Sequence, residues 1–147
     1  MKTLRLLFIP IIVALSLSAC DHEEYDKMPR EIANFISQYW PDPNIESCTQ
    51  PNDNTWVIIV KNGPTLTFNG SYDWTSINGN GLPLPQVLMF DRLPKTLYRY
   101  LESGEMLGQV FSIERTPKMY TVKLLTQTVT YDIGSDTVRQ EDTPPSN

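Results

Sequence analysis

One histidine, two cysteines and seven glycines in 147 residues remove several common chemistries at once. His22 has no second imidazole to work with, and no Cys/His spacing suits a zinc ion, so histidine acid–base catalysis and a zinc centre are both excluded. No glycine-rich loop is present to cradle a phosphate. Basic residues are also scarce, 12 against 17 acidic, for a net charge of −5. A surface of that sign repels phosphate backbones, and no basic patch with interleaved aromatics offsets it, so no nucleic-acid partner is expected. Carboxylates are plentiful, but Asp42, Asp53, Asp73 and Asp91 carry no EF-hand-like spacing and no partner base. The chain therefore reads as non-enzymatic, without cofactor or metal.

Long apolar runs are missing too. The longest stretch, "LLFIPIIVALSLSA" from Leu6 to Ala19, falls short of the roughly 20 residues a membrane-spanning helix needs. Preceded by Lys2 and Arg5 and ending in small residues, it reads as a signal peptide over 1–19. Leu17-Ser18-Ala19-Cys20 resembles the bacterial lipobox, which implies cleavage before Cys20 and attachment to a membrane through lipid on that cysteine. Processing there would leave 10 basic against 17 acidic residues, a net charge of −7. The next residues, Asp21-His22-Glu23-Glu24-Tyr25-Asp26, open an acidic tether over 20–27. That stretch is either a solvated spacer or, by resemblance to surface lipoproteins of the Bacteroidetes type, an export signal. Either way the expected location is the outer membrane, on its periplasmic or outward face. With Cys20 lipidated, Cys48 has no partner within the chain and is either a small buried residue or an exposed thiol.

The pentapeptide Asp26-Lys27-Met28-Pro29-Arg30 returns as Asp91-Arg92-Leu93-Pro94-Lys95, 65 positions later. Each proline suits the first turn of a helix. Ile32, Phe35, Ile36 and Tyr39 then fall at i, i+3, i+4 and i+7, and Leu97, Tyr100 and Leu101 repeat the stripe. Asp26 and Asp91 are placed to complement the positive helix ends. The correspondence continues downstream: Ile45 with Val110, Trp56 to Val60 with Tyr120 to Leu124, and Leu66 and Phe68 with Val129 and Tyr131. "TWVIIV" and "TLTF" flank the hairpin signal at Lys61-Asn62-Gly63-Pro64. The expected fold is α+β: two tandem repeats, over 28–79 and 80–139, each a short helix on an antiparallel meander of three or four strands. Asn78-Gly79-Asn80-Gly81 and the following prolines connect the copies, Gln86 to Phe90 add a helical turn, and 140–147 forms a polar tail expected to fray.

These features resemble the PepSY-like, beta-lactamase-inhibitor-like domain of Bacteroidetes lipoproteins. The residues that carry the likeness are "MPREIANFI" and "LPKTLYRYL", the strands around Trp56 and Tyr120, and the closing motifs Phe68-Asn69-Gly70 with Trp74 and Tyr131-Asp132-Ile133-Gly134. The likeness spans residues 28 to about 139. It implies a binding or inhibitory role toward another protein.

Strand alternation points to where binding would occur. If Trp56, Ile58, Val60, Leu66 and Phe68 face the helices, then Val57, Ile59, Thr65 and Thr67 face away. The same parity turns Thr121, Lys123, Thr128 and Thr130 outward. Threonine is a good strand residue in any case, so its abundance has a structural reading as well. Trp40, Tyr72, Trp74 and Tyr98 are the large aromatics available either for contact or for packing. Two functions follow as expectations: a lipid-anchored module binding a protein partner through its open sheet, or an accessory, small-ligand or glycan-binding subunit of a cell-surface assembly. Thr137, within Asp136-Thr137-Val138, also matches the Asp-Thr-apolar pattern that resembles an O-glycosylation acceptor of exported Bacteroidetes proteins.

Overall fold

A computed structural model describes Glu24 and residues 26–142. The signal peptide, Cys20, Asp21 to Glu23 and the last five residues of the expected tail lie outside the described residues. Pro29 and Pro94, both with φ near −54°, stand immediately ahead of α1 (Arg30–Tyr39) and α3 (Lys95–Ser103). Helix α1 buries Ile32, Ala33, Ile36 and Tyr39; α3 buries Leu97 and Leu101. Each such aliphatic side chain contributes about 1.5–3 kcal/mol of burial, so the stripe rather than helix propensity holds these short helices. The turn expected near Gln86 is a full helix, α2 (Gln86–Arg92), which buries Leu88 and Met89.

This helix corrects the reading of Asp91. It lies within the last turn of α2 as well as three residues before the Pro94 cap of α3, and its carboxylate accepts hydrogen bonds from Tyr39 Oη at 3.2 Å and Gln38 Nε2 at 3.3 Å. Asp91 thus ties α2 to α1.

The strands are β1 (Ile45–Asn52), β2 (Thr55–Val60), β3 (Thr65–Asn69), β4 (Trp74–Asn78), β5 (Val110–Arg115), β6 (Met119–Leu124), β7 (Gln127–Asp132) and β8 (Thr137–Asp142). They form one sheet in sequential order, with every neighbouring pair antiparallel. Strand β8 carries pairing through Asp142, so the segment expected as tail begins as ordered strand. The element order is one helix and four strands, then two helices, a short 3-10 turn (Leu107–Gln109) and four strands. A register shift lies between Ile45 and Ser47 opposite Val60 and Ile59, and another between Val110 and Ser112 opposite Leu124 and Lys123.

The joint between the strand sets is short: Ser76, Ile77 and Asn78 of β4 pair with Glu114, Ile113 and Ser112 of β5. The connector beyond it is not a loose linker. Gly79 N–H donates to the Phe111 carbonyl and Leu84 N–H to the Val110 carbonyl, both at 2.8 Å. Asn80 and Gly81, with φ of 53° and 90°, supply the two left-handed positions of the tight turn closed by Leu82 N–H on the Gly79 carbonyl.

One apolar cluster runs through the whole molecule, from Met28 and Ile32 through Ile58, Leu66 and Ile77 to Leu97, Ile113, Val122 and Val129. Among the described residues, all three helices and the inward residues of the strands contribute to it, and none of these helices covers the opposite sheet face. The outer strands differ in their free edges. Strand β1 contains Pro51 and two register shifts, and its Cys48 N–H donates to Glu24 Oε2 at 3.2 Å. Strand β8 has Arg139, Glu141 and Asp142.

Candidate interaction face and a cleft beside it

Because side chains alternate along a strand, cross-strand partners share a face. Two continuous outward ladders result. One runs Thr49, Val57, Thr67, Ser76, Glu114, Thr121, Thr130, Arg139. The other runs Ser47, Ile59, Thr65, Asn78, Ser112, Lys123, Thr128, Glu141. With eight strands about 4.8 Å apart, each ladder spans roughly 34 Å. All these residues are half-buried or exposed except Ser112, at 8% exposure. Six expected contact residues meet here: Val57, Ile59, Thr65, Thr67, Thr121 and Lys123. Lys123 Nζ pairs with Glu114 Oε1 at 3.2 Å across β5 and β6, an exposed ion pair. At its Ile59 end the face runs into a depression of about 360 Å³ lined by Glu46, Ile59, Val60, Asn62, Gly63, Asn80 and Leu82.

Tyr72 and Trp74 do not join this face. Trp74 pairs with Phe68 on the inward side, is only 5% exposed, and packs against Tyr120 with Arg115 stacked over its ring at 5.0 Å. A one-residue irregularity between Thr67 and Phe68 in the β3–β4 pairing turns it inward. Tyr72 stands in the β3–β4 turn, its ring edge-on to Trp56 at 6.5 Å. Trp40 is half-buried against the core beside Tyr39, and Tyr98 packs edge-on to Phe90. The ladders contain no aromatic residue.

Tyr72 and Trp74 instead join Phe35 at a cleft of about 320 Å³ between α1 and the β3–β4 turn, lined also by Glu31, Asn34, Gln38, Asp73 and Arg92. Arg92 organises one wall. Its Nε donates to Tyr39 Oη at 2.6 Å and its Nη2 to Gln38 Oε1 at 3.1 Å, while the guanidinium lies 5.0 Å from the Phe35 ring centre and 5.4 Å from that of Tyr39. Burial pushes the Tyr39 hydroxyl above its ordinary range, and the Arg92 hydrogen bond partly offsets this. No periodicity in the sequence marks this cleft, because its residues come from three separate segments.

Other expected positions resolve as follows. Cys48 is half-buried against the core opposite Ile58, and burial together with the Glu24 carboxylate raises its thiol pKa. The Lys27 ammonium and the Cys48 N–H hold Glu24 below the usual carboxylate range, so at least this residue of the acidic segment is engaged with β1. Thr137 is exposed at the start of β8, its hydroxyl 2.7 Å from that of Ser135. Among the described residues, no three His, Cys, Asp or Glu side chains converge as metal donors, and no helix is long and apolar enough to cross a membrane.

No protein-family profile matches the chain. No curated protein matches it either. Solved structures do. A proposed periplasmic protein of the DUF2874 family from Bacteroides vulgatus superposes with a TM-score of 0.66 at 22% identity, over 80% of this chain and 92% of that one. A proposed calcium-regulated periplasmic protein from Bacteroides thetaiotaomicron gives 0.66 at 20% identity, over 80% and 92%. A proposed periplasmic protein of unknown function from Bacteroides vulgatus gives 0.64 at 18%, over 80% and 94%. The fold is therefore shared with a group of Bacteroides proteins described as periplasmic.

Proposed function

We propose that this chain is a non-catalytic, extracytoplasmic binding module, anchored by lipid at Cys20, that captures a protein partner on the outer face of its sheet. The observation that carries the reading is the pair of ladders: hydroxyl-rich, with Val57 and Ile59 as apolar points, and covered by none of the described helices. Small ligands favour enclosed sites, whereas a broad open face of mixed donors, acceptors and short aliphatic groups suits another protein. The depression beside Ile59 is a place for one anchoring side chain of that partner. Inhibition of a hydrolase, the role the PepSY-like and inhibitor-like resemblance implies, is one form such capture takes. The recurring register shift and the repeated helix-and-four-strand order support an origin by duplication of one unit.

An extracytoplasmic location draws support from the periplasmic descriptions of the structural neighbours and from the lipobox-like sequence. The calcium regulation ascribed to one neighbour is a property of that protein. Cys20→Ala is expected to move the protein from the detergent phase to the aqueous phase or to leave it uncleaved; unchanged partitioning would reject the anchor.

A photoreactive residue at Thr67 or Thr121, introduced in intact cells, tests the face. Both positions are expected to cross-link the same protein, while Ser103, exposed on α3, does not. Cross-links of equal yield from Ser103, or none from the two threonines, would reject the face.

A further inference from the structure

The two halves of the molecule carry corresponding places, one closed and one open, and the difference points to a ligand. In the second half, the β7–β8 turn meets the start of α3. There Asp136 accepts a hydrogen bond from Tyr131 Oη at 2.8 Å and another from Thr96, while Tyr100 Oη donates to Gln140 at 2.8 Å. The polar groups of that junction satisfy one another. In the first half, the β3–β4 turn and α1 face each other across the open cleft. The chain shift that pairs Asp26 with Asp91 places Glu31 where the second half has Thr96, and Phe35 where it has Tyr100. Glu31, Asn34 and Asp73 make no side-chain hydrogen bond among the described residues.

Backbone conformation gives a second, independent indication. Counting back from the first paired inward residue of the returning strand, Tyr72 stands two before Trp74 and Asp136 two before Val138. Both residues are left-handed, with φ of 65° and 53°. Aspartate visits that region readily; for a bulky tyrosine it costs on the order of 1–3 kcal/mol. The Asn69 side chain, accepting from Ser71 N–H and Asp73 N–H at 3.0 Å, holds the turn in this form. The strained turn holds a 39%-exposed aromatic ring that lines the cleft together with Phe35 and Trp74.

We propose that this cleft is a binding subsite for a neutral saccharide ring. The cleft carries charges of both signs, Glu31 and Asp73 against Arg92, so a ligand of either sign meets a like charge as well as an opposite one, whereas a neutral polar ligand meets no repulsion. A sugar carries no charge, and its hydroxyls both donate and accept. They can take hydrogen bonds from Arg92 and Asn34 and give them to Glu31, Asp73 and Gln38. Its axial C–H face is apolar and stacks on an aromatic ring such as Tyr72, which presents a large rigid surface at little entropic cost. A volume of about 320 Å³ lies at the small end of ligand sites and suits one ring of a longer chain. The subsite is distinct from the ladders, since Tyr72 and Trp74 lie off the outer face.

The test is nuclear magnetic resonance titration of the folded domain with neutral tetrasaccharides of glucose, mannose, galactose and N-acetylglucosamine, alongside a tetralysine peptide and inorganic phosphate. At least one neutral saccharide is expected to shift the Asn34, Tyr72 and Asp73 resonances saturably, with the two charged probes without effect. Tyr72→Asn relieves the turn, so it should melt at the same temperature or higher while weakening the saccharide at least about tenfold. Three results would each overturn the proposal: no saturable shift with any neutral saccharide up to about 10 mM, a stronger response to tetralysine or phosphate, or undiminished binding by a folded Tyr72→Asn protein.

Discussion

Val57 and Ile58 are adjacent in the chain and opposite in the sheet, which makes them a sensitive pair of probes. Ile58 and Val122 are fully enclosed, whereas Val57 and Ile59 are half-buried on the ladder face. Placing an unpaired carboxylate in the core costs several kcal/mol, a large share of the roughly 5–15 kcal/mol that holds a domain folded. Ile58→Asp and Val122→Asp should therefore abolish the cooperative urea transition, while Val57→Asp and Ile59→Asp should keep it; four equal losses would mean that both faces are covered. A titration effect belongs to the same scale. Ser135 backbone and hydroxyl groups hold Asp132 below the usual carboxylate range, and Tyr131 and Thr96 do the same for Asp136. A folded-state pKa below the unfolded one gives stability that is present above the ordinary value of 3.8 and lost as pH falls through the lowered one. Asp136→Asn keeps a residue that accepts a left-handed φ, so its midpoint should lie below wild type at about pH 7 and converge with it as the pH falls through the lowered carboxylate pKa.

At the scale of elements, the Gly79 to Leu84 connector decides how β4 meets β5. A Cβ on Gly79 would run into the Leu82 carbonyl oxygen, in a turn that also bonds to Phe111. Around Gly81 there is open space, and only its φ of 90° opposes a side chain. Gly79→Ala should thus cost more than about 2 kcal/mol and Gly81→Ala about 1–2 kcal/mol, as read from denaturant midpoints. The helices after Pro29 and Pro94 and the strand parity were legible in the sequence, because periodicities of 3.6 and 2 are local. The β4–β5 pairing was not, since Ser76 and Glu114 are brought together only by the core they cover. Asp91 was misread because α2 spans seven residues, too few for its own period to stand out from the run into Pro94. The cleft escaped for a related reason: its walls come from α1, the β3–β4 turn and Arg92. A partial signal existed in Asn69-Gly70-Ser71-Tyr72-Asp73, a turn sequence whose left-handed position falls on the tyrosine instead of the glycine.

At the scale of the molecule, a single core cluster joins both strand sets, so neither set has an apolar centre of its own. Thermal unfolding should appear as one transition, with near-ultraviolet and far-ultraviolet signals coincident; two resolved transitions would show that the three-residue joint at Ser76 to Asn78 parts first. The order of the strands has a further consequence. Strand β4 meets β5 antiparallel with the helices on one side, and β8 of one molecule would meet β1 of the next in the same sense. Such a head-to-tail contact has no twofold to close it, and it would extend into a filament. Pro51, the two register shifts of β1 and the Glu24 carboxylate on the Cys48 N–H are features that disfavour such pairing at one edge, and Glu141 and Asp142 put charge on the other. Glu24 is thereby a cap on the sheet's first edge as well as a residue of the segment beside the expected anchor.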